Sequence, residues 1–196
     1  MSTPATKPGD PRRRADAVRN RDRVLEATKA LLTEGAATVT VETIARRAGV
    51  GAATVIRTFG SKEALIDVAV ADLLEPVVQR ARALLADPGA HDALQRFLVE
   101  LIAFQSGHWL ISEQLKTLQL PATAAQRDAL TEAVVELVTR ARDSGAIRTD
   151  IAPGMMLLLV RDLTYAIARS PAASPELAAN YVSVLMDGLR PRQPPA

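Results

Sequence analysis

At 196 residues the chain has room for one large or two small domains and for a substantial core. Cysteine is absent, which removes disulfide frameworks and thiolate zinc sites. The formal net charge of +2 is unevenly spread: residues 1–62 hold twelve Lys and Arg against six Asp and Glu, leaving twelve against sixteen in the remainder. A basic first third joined to an acidic remainder is what a protein needs if only one end meets phosphates. The longest apolar run, residues 155–160, is far too short to cross a bilayer, and the polar, Pro-containing start does not have the form of a secretory leader. A soluble cytoplasmic protein with no membrane partner, no metal and no cofactor is expected.

Residues 1–16 read as a disordered basic arm, because Pro4, Pro8, Gly9 and Pro11 oppose regular structure. Arg12, Arg13 and Arg14 close the arm; such a charge run either enters a minor groove or simply stays solvated. A first helix is predicted over 17–34, with Val24, Leu25, Thr28, Leu31 and Leu32 on one stripe and Gly35 as its stop. Arg19, Arg21 and Arg23 continue the basic density along it.

Two short helices follow. Thr40 stands at an N-cap position, Val41, Ile44, Ala45 and Ala48 form one apolar face, and Gly49 supplies a left-handed stop. Val50 and Val55 have the spacing of a hydrophobic staple around Gly51, which sets the angle at which the second short helix, 52–59, leaves the turn. Its inward face is Val55 and Phe59. Its outward face is Ala53 and Arg57, flanked by Thr54 and Ile56, with Ala52 and Thr58 beside them. A solvated surface helix favours Lys and Glu there; small residues, hydroxyls and one arginine instead suit base edges and thymine methyls in a major groove. Plain packing of a helical hairpin is the bland alternative. Ser61 then caps a third helix with Lys62 at its first position, where an ammonium opposes the helix dipole but completes a phosphate clamp with the free backbone N–H groups. Arg46 and Arg47, on the exposed side of the first short helix, are candidate backbone contacts or ordinary surface residues.

These residues carry a resemblance. Arg23-Val-Leu-Glu-Ala27, Leu31-Leu-Thr-Glu-Gly35, Val41-Glu-Thr-Ile-Ala45, Ala48-Gly-Val50, Thr54, Phe59 and Ser61-Lys-Glu-Ala-Leu65 resemble, without gaps, the DNA-binding domain of the TetR family of bacterial transcriptional regulators. The resemblance implies an all-α homodimer, usually a repressor; the elements read along the chain make about nine helices. A three-helix helix-turn-helix domain would read a double-stranded DNA operator, and a larger helical domain would bind a small-molecule inducer and dimerise. Two departures stand out. Ile56 occupies a position where the family usually has an aromatic, most often Tyr, and Gly51 replaces a polar residue at the start of the recognition helix. Direct hydrogen-bond readout therefore rests on Thr54, Arg57 and Thr58. The full set of candidate DNA-contacting residues is Arg13, Arg14, Thr40, Arg46, Ala52, Ala53, Thr54, Arg57, Thr58 and Lys62.

The domain plan is then an arm over 1–16, a DNA-binding domain over 17–60, a connecting helix and loop over 61–90, a ligand-binding and dimerisation domain over 91–191 and a tail over 192–196. Pro76 predicts a kink or break near Leu74 and Glu75 in the connecting helix, and Asp87-Pro88-Gly89 a loop after it. Five helices are predicted beyond: 92–106, 108–118, 122–143, 152–169 and 174–189. Of only six aromatic residues, Phe97, Phe104, Trp109 and Tyr165 fall here, near Leu101, Gln105, His108, Gln114 and Arg161. These nine are the candidate ligand-pocket residues, with a packed core as the competing reading. The last two helices are apolar over more than one face and so need cover on both sides. Leu158, Asp162, Leu177, Tyr181, Val184 and Leu185 are candidate dimer contacts in a two-fold four-helix interface.

An enzyme is disfavoured. His91 and His108 are the only neutral-pH bases, neither has a nucleophile at motif spacing, and no Gly-rich phosphate loop is present. Two readings remain: a ligand-responsive DNA-binding repressor, and a helical ligand-binding or scaffolding protein whose DNA affinity is weak or lost. Gly51-Ala52-Ala53 and Ile56 keep the second open.

Overall fold

The computed structural model describes residues 11–34, 39–87, 92–114, 120–170 and 174–191, without the side chains of Pro11, Arg13 and residues 109–114. The described residues form eight α-helices and no strand: α1 Pro11–Thr33, α2 Val41–Ala48, α3 Ala52–Phe59, α4 Lys62–Ala86, α5 Ala93–Gln114, α6 Pro121–Asp143, α7 Pro153–Ala168 and α8 Pro175–Gly188. They divide into two compact units, residues 1–69 and 70–196.

Three local expectations are corrected. The first helix begins at Pro11, not near residue 17, so Arg12, Arg13 and Arg14 lie on α1 instead of in an arm. Proline is tolerated in a helix's first turn because its missing N–H would be unpaired there. Residues 1–10, the rest of the expected arm, lie outside the described residues, as do Gly35, Pro88, Gly89, His91 and the 192–196 tail. Pro76 sits inside α4, which carries helical geometry from Lys62 to Ala86, so of the expected kink or break the break is absent. Around it Val70, Val78, Ala81 and Leu84 are buried, and that burial outweighs one lost backbone bond. The two helices expected over 92–106 and 108–118 are one, α5, which runs through Gly107. A mid-helix glycine costs only about 1 kcal/mol, and Leu98, Leu101 and Ile102 just before it are buried. Among the described residues the helices therefore number eight, against about nine expected.

In the first unit, Val24, Ala27, Ile44, Ala45, Ala48, Val55 and Leu65 form one apolar cluster drawn from α1 to α4. Thr28, fully buried in α1, returns its hydroxyl hydrogen to the Val24 carbonyl at 2.8 Å, so it joins the core without an orphaned donor. The turn between α2 and α3 is fixed by several local devices. Thr40 and Thr43 cap α2 reciprocally: Thr43 N–H donates to Thr40 Oγ1 at 3.2 Å and Thr40 N–H to Thr43 Oγ1 at 3.0 Å. Gly49 adopts φ 65°, and Val50 N–H reaches back to the Ala45 carbonyl at 3.0 Å in a Schellman-type closure. Val55 is fully buried and Val50 packs on the same cluster, the pairing their spacing predicts.

In the second unit, α5 is the central helix, packed by α6, α7 and α8. Phe97, Leu98, Ile102, Leu137, Ile147, Met156, Val160 and Val182 are all buried in its core. Polar clasps fix its edges. Arg80 on α4 meets Glu100 on α5 through two bonds of 2.7 and 2.8 Å, which hold the Glu100 carboxyl below its ordinary value. Arg140 on α6 donates to the carbonyls of Leu85 at 2.9 Å and Asp87 at 2.6 Å, capping the C-terminal end of α4.

The left-handed Gly49 yields a prediction. A Cβ there meets nothing closer than Arg23 at 3.8 Å, so Gly49→Ala is penalised by backbone conformation alone. The expected loss is roughly 1–2 kcal/mol, read as a lower urea midpoint at unchanged helicity. An unchanged midpoint would show that the turn does not depend on that conformation.

Candidate functional site

The outward surface of α3 is built from the core outward. Val55 anchors the helix, and Phe59, half-buried, lies under the Arg21 guanidinium of α1 at 4.6 Å from the ring centroid. On the far side Ala53, Ile56 and Arg57 are exposed, with Ile56 at 41 %. Ala52, Thr54 and Thr58 are half-buried beside them. Arg57 Nη2 donates to Thr54 Oγ1 at 3.2 Å, which draws the guanidinium along the helix surface. Thr58 donates its hydroxyl hydrogen to the Thr54 carbonyl at 2.7 Å, so that hydroxyl is left chiefly as an acceptor. The expected reading face is therefore open to solvent, with Arg57 drawn onto Thr54 and the Thr58 hydroxyl left to accept.

At the end of this surface Ser61 Oγ accepts the Ala64 N–H at 3.0 Å, capping α4 as expected. Lys62 is its first residue, half-exposed, with Glu63 Oε1 at 4.0 Å from its ammonium. Of the two candidate arginines of α2, Arg47 is bound in a two-bond pair with Glu34 at 2.7 and 2.5 Å; that bonding raises its pKa and commits its guanidinium. Arg46 is exposed and has no partner among the described residues. Thr40 serves as the α2 cap, and Arg14 is exposed on α1.

The second feature lies wholly in the second unit. A cleft of about 310 Å³ opens between α5, α6 and α7, lined by Leu101, Gln105, Leu130, Val134, Leu157 and Val160, with Thr131, Leu158, Arg161 and Thr164 also on its walls. Of the nine candidate pocket residues, Leu101, Gln105 and Arg161 line it. Phe97 does not; it is fully buried in the core, as the competing reading held. Phe104 stacks on His108 at 4.4 Å, and His108 Nδ1 pairs with the Phe104 carbonyl at 2.8 Å, an arrangement local to α5. Tyr165 lies against the Arg169 guanidinium and not on the cleft wall. The side chains of Trp109 and Gln114 lie outside those described. Leu130 and Val134 were missed, although their spacing marks an apolar stripe of α6; a stripe does not say which part of it meets a cleft.

On the candidate dimer face, α7 exposes Met155, Leu158 and Leu159, and α8 exposes Tyr181 and Val184, the last at 71 %. Leu177 and Leu185 are half-buried, and Asp162 pairs with its neighbour Arg161 at 2.9 Å. Met156 and Val160 fill the opposite side of α7, so this helix is apolar on two faces and covered on one. Among the described residues no helix is long and apolar enough to cross a membrane, and no cluster of metal-ligating side chains occurs.

Comparison with known proteins agrees over both units. Residues 24–69 match the family model described as bacterial regulatory proteins, tetR family, and residues 87–191 match that described as transcriptional regulator SbtR-like, C-terminal domain. A TetR transcription regulatory protein of known structure from Mycobacterium vanbaalenii is 32% identical, with 90% of this chain and 98% of that chain covered at a TM-score of 0.64. A TetR transcriptional regulator from Streptomyces coelicolor is 27% identical over 88% of this chain and 99% of its own, at a TM-score of 0.61. A ketosteroid transcriptional regulator from Mycobacterium tuberculosis, at 20% identity and a TM-score of 0.65 over 87% of this chain and 94% of its own, shares the fold. No curated protein matches the chain.

Proposed function

Because the chain belongs to the TetR family of bacterial transcriptional regulators, we propose that it is a dimeric repressor that binds a palindromic operator and is released from it by a small molecule. The observation that carries the reading is the α3 surface: Ala53, Ile56 and Arg57 stand open to solvent on a helix fixed by the α2 turn and followed by the Ser61–Lys62 helix start. Arg57 and Thr54 would read base edges, while Ile56 and Ala53 would lie against thymine methyls. Lys62, Arg46 and the basic N-terminal part of α1, with Arg13 and Arg14, would meet phosphates and set register without reading sequence.

A two-fold assembly would cover Met155, Leu158, Leu159, Tyr181 and Val184, whose exposure on two helices of one unit is costly in a monomer. It would place two copies of α3 about one DNA turn, or a multiple, apart. The cleft between α5, α6 and α7 is the proposed effector site. Support for its coupling to the DNA end comes from α6, which lines the cleft with Leu130 and Val134 and holds the last carbonyls of α4 through Arg140. An effector that prefers the arrangement of α4 unsuited to DNA would shift the population away from the bound form.

Two measurements test the reading. With half-sites selected from random duplexes, fluorescence anisotropy should show binding that weakens steeply with salt. Lys62→Ala should weaken all sequences alike and lower the salt slope by about one. Arg57→Ala should instead flatten preference among sequences, by about 1–3 kcal/mol at the position it reads. Equal losses on every sequence for both variants would remove the base-reading role, and no selection over scrambled DNA would remove the repressor. Val184→Glu should turn a dimer into a monomer in sedimentation velocity, since it would bury an unpaired charge in the interface. A dimer that survives it would place the interface elsewhere.

A further inference from the structure

The α5–α6–α7 cleft is apolar over most of its wall, with Leu101, Leu130, Val134, Leu157 and Val160 supplying the surface. Among the described residues that line it no carboxylate occurs, and Arg161 of α7 is the one charged side chain. Its polar groups lean the same way. Thr131 gives its hydroxyl hydrogen to the Arg127 carbonyl at 2.9 Å and Thr164 to the Arg161 carbonyl at 3.1 Å, so neither is a free donor. Gln105 Oε1 is sealed and out of a guest's reach, which leaves the amide N–H as the polar group this side chain can offer. The side-chain donors that remain are a guanidinium and an amide, a set that suits a head group made of acceptors alone.

Arg161 is not spent on its present partner. It pairs at 2.9 Å with Asp162, its neighbour in the chain, and the two side chains are 69% and 68% exposed. An exposed pair of this kind gains little over solvation. A carboxylate that arrives with an apolar body beside it can therefore take the guanidinium over: the body contributes burial, and both carboxylate oxygens meet the planar fork. An ammonium would be repelled by Arg161 and would find no counter-ion on the wall. One cation matches one negative charge. A volume of about 310 Å³ lies at the small end of ligand pockets, which keeps the apolar body short.

We propose that this cleft takes a small monocarboxylate amphiphile, its apolar body between α5, α6 and α7 and its carboxylate on Arg161, which turns from Asp162 to meet it. The proposal rests on the cleft being the effector site and adds the class of molecule that it selects.

Three eight-carbon probes separate head from body: octanoate, 1-octanol and octylammonium, each titrated at neutral pH into the full chain by isothermal titration calorimetry. Octanoate should bind about tenfold more tightly than the alcohol, as a charge-assisted pair adds to burial, and the ammonium most weakly. That advantage should shrink as salt rises, because Arg161 stands at an exposed edge. Arg161→Gln should bring octanoate to within about twofold of the alcohol, and Asp162→Asn should strengthen octanoate by about twofold by removing the competing carboxylate. Val134→Phe fills the cleft from α6, a different helix from the exposed α7–α8 face, and should weaken octanoate and octanol together. Circular dichroism melts show which variants fold, and Arg161→Gln, at an exposed position, carries the test if Val134→Phe does not. Parity of octanoate and octanol, preference for the ammonium, an octanoate advantage that survives Arg161→Gln or does not grow in Asp162→Asn, binding unmoved by a folded Val134→Phe, or binding of none of the three would overturn the proposal. DNA titrations of the same preparations keep the two readings apart. Octanoate selectivity without DNA release leaves the ligand chemistry standing and removes the effector role; DNA binding without octanoate selectivity does the reverse.

Discussion

The angle between α2 and α3 is the constraint on which the rest depends. A helix of eight residues is too short to hold itself in water, so its direction must come from its neighbours. The Thr40–Thr43 capping pair starts α2, Gly49 ends it in a left-handed turn, and Val50 and Val55 bind the exit of that turn to the core beneath. Val24 of α1, Ile44 of α2 and Leu65 of α4 complete that core. With the inward face so fully used, α3 has one side left to present, and that side holds the small residues, Ile56 and Arg57.

The same logic explains which charges remain available. The first unit is rich in arginine, yet its arginines are not equivalent. Arg47 is held by Glu34, Arg21 lies over Phe59 and Arg23 donates to Asn20 at 2.6 Å, so these side chains serve the fold. Arg46 and Arg57 are exposed next to the α2–α3 turn without an ion pair among the described residues, and Lys62 stands at the start of the following helix. A count of basic residues overstates how many are uncommitted; ion pairs and ring contacts hold several of them in place. In the second unit Arg80 and Arg140 do comparable structural work by tying α4 to α5 and α6.

What was legible in the sequence follows from range. Thr40, Gly49, the Val50–Val55 staple and Ser61 act within four or five residues, and each stands where its spacing placed it. Pro11, the break allowed for at Pro76 and the gap left at residue 107 misled because local preference was judged without the tertiary burial around them or their place in a first turn. Pro11 starts a helix instead of preventing one, and the chain runs helically through the other two. Phe97 misled differently: helical spacing cannot tell a residue of the core from one on a cavity wall. The cleft itself, with Leu130 and Val134 brought opposite Gln105, is a property of three helices packed together and of no one segment. Likewise the two-faced apolarity of α7 was plain in Met155 to Val160, whereas which side faces outward became clear only from the burial of Met156 and Val160.

The central claim is that α3 lies in a major groove, twice, on one duplex. Dimethyl sulfate protection on a selected operator addresses it directly, because the reagent methylates guanine N7, an acceptor exposed only in the major groove. The account predicts two protected N7 patches related by a dyad and separated by one helical turn or a multiple of it. Full occupancy of the duplex with every guanine N7 still reactive would contradict it.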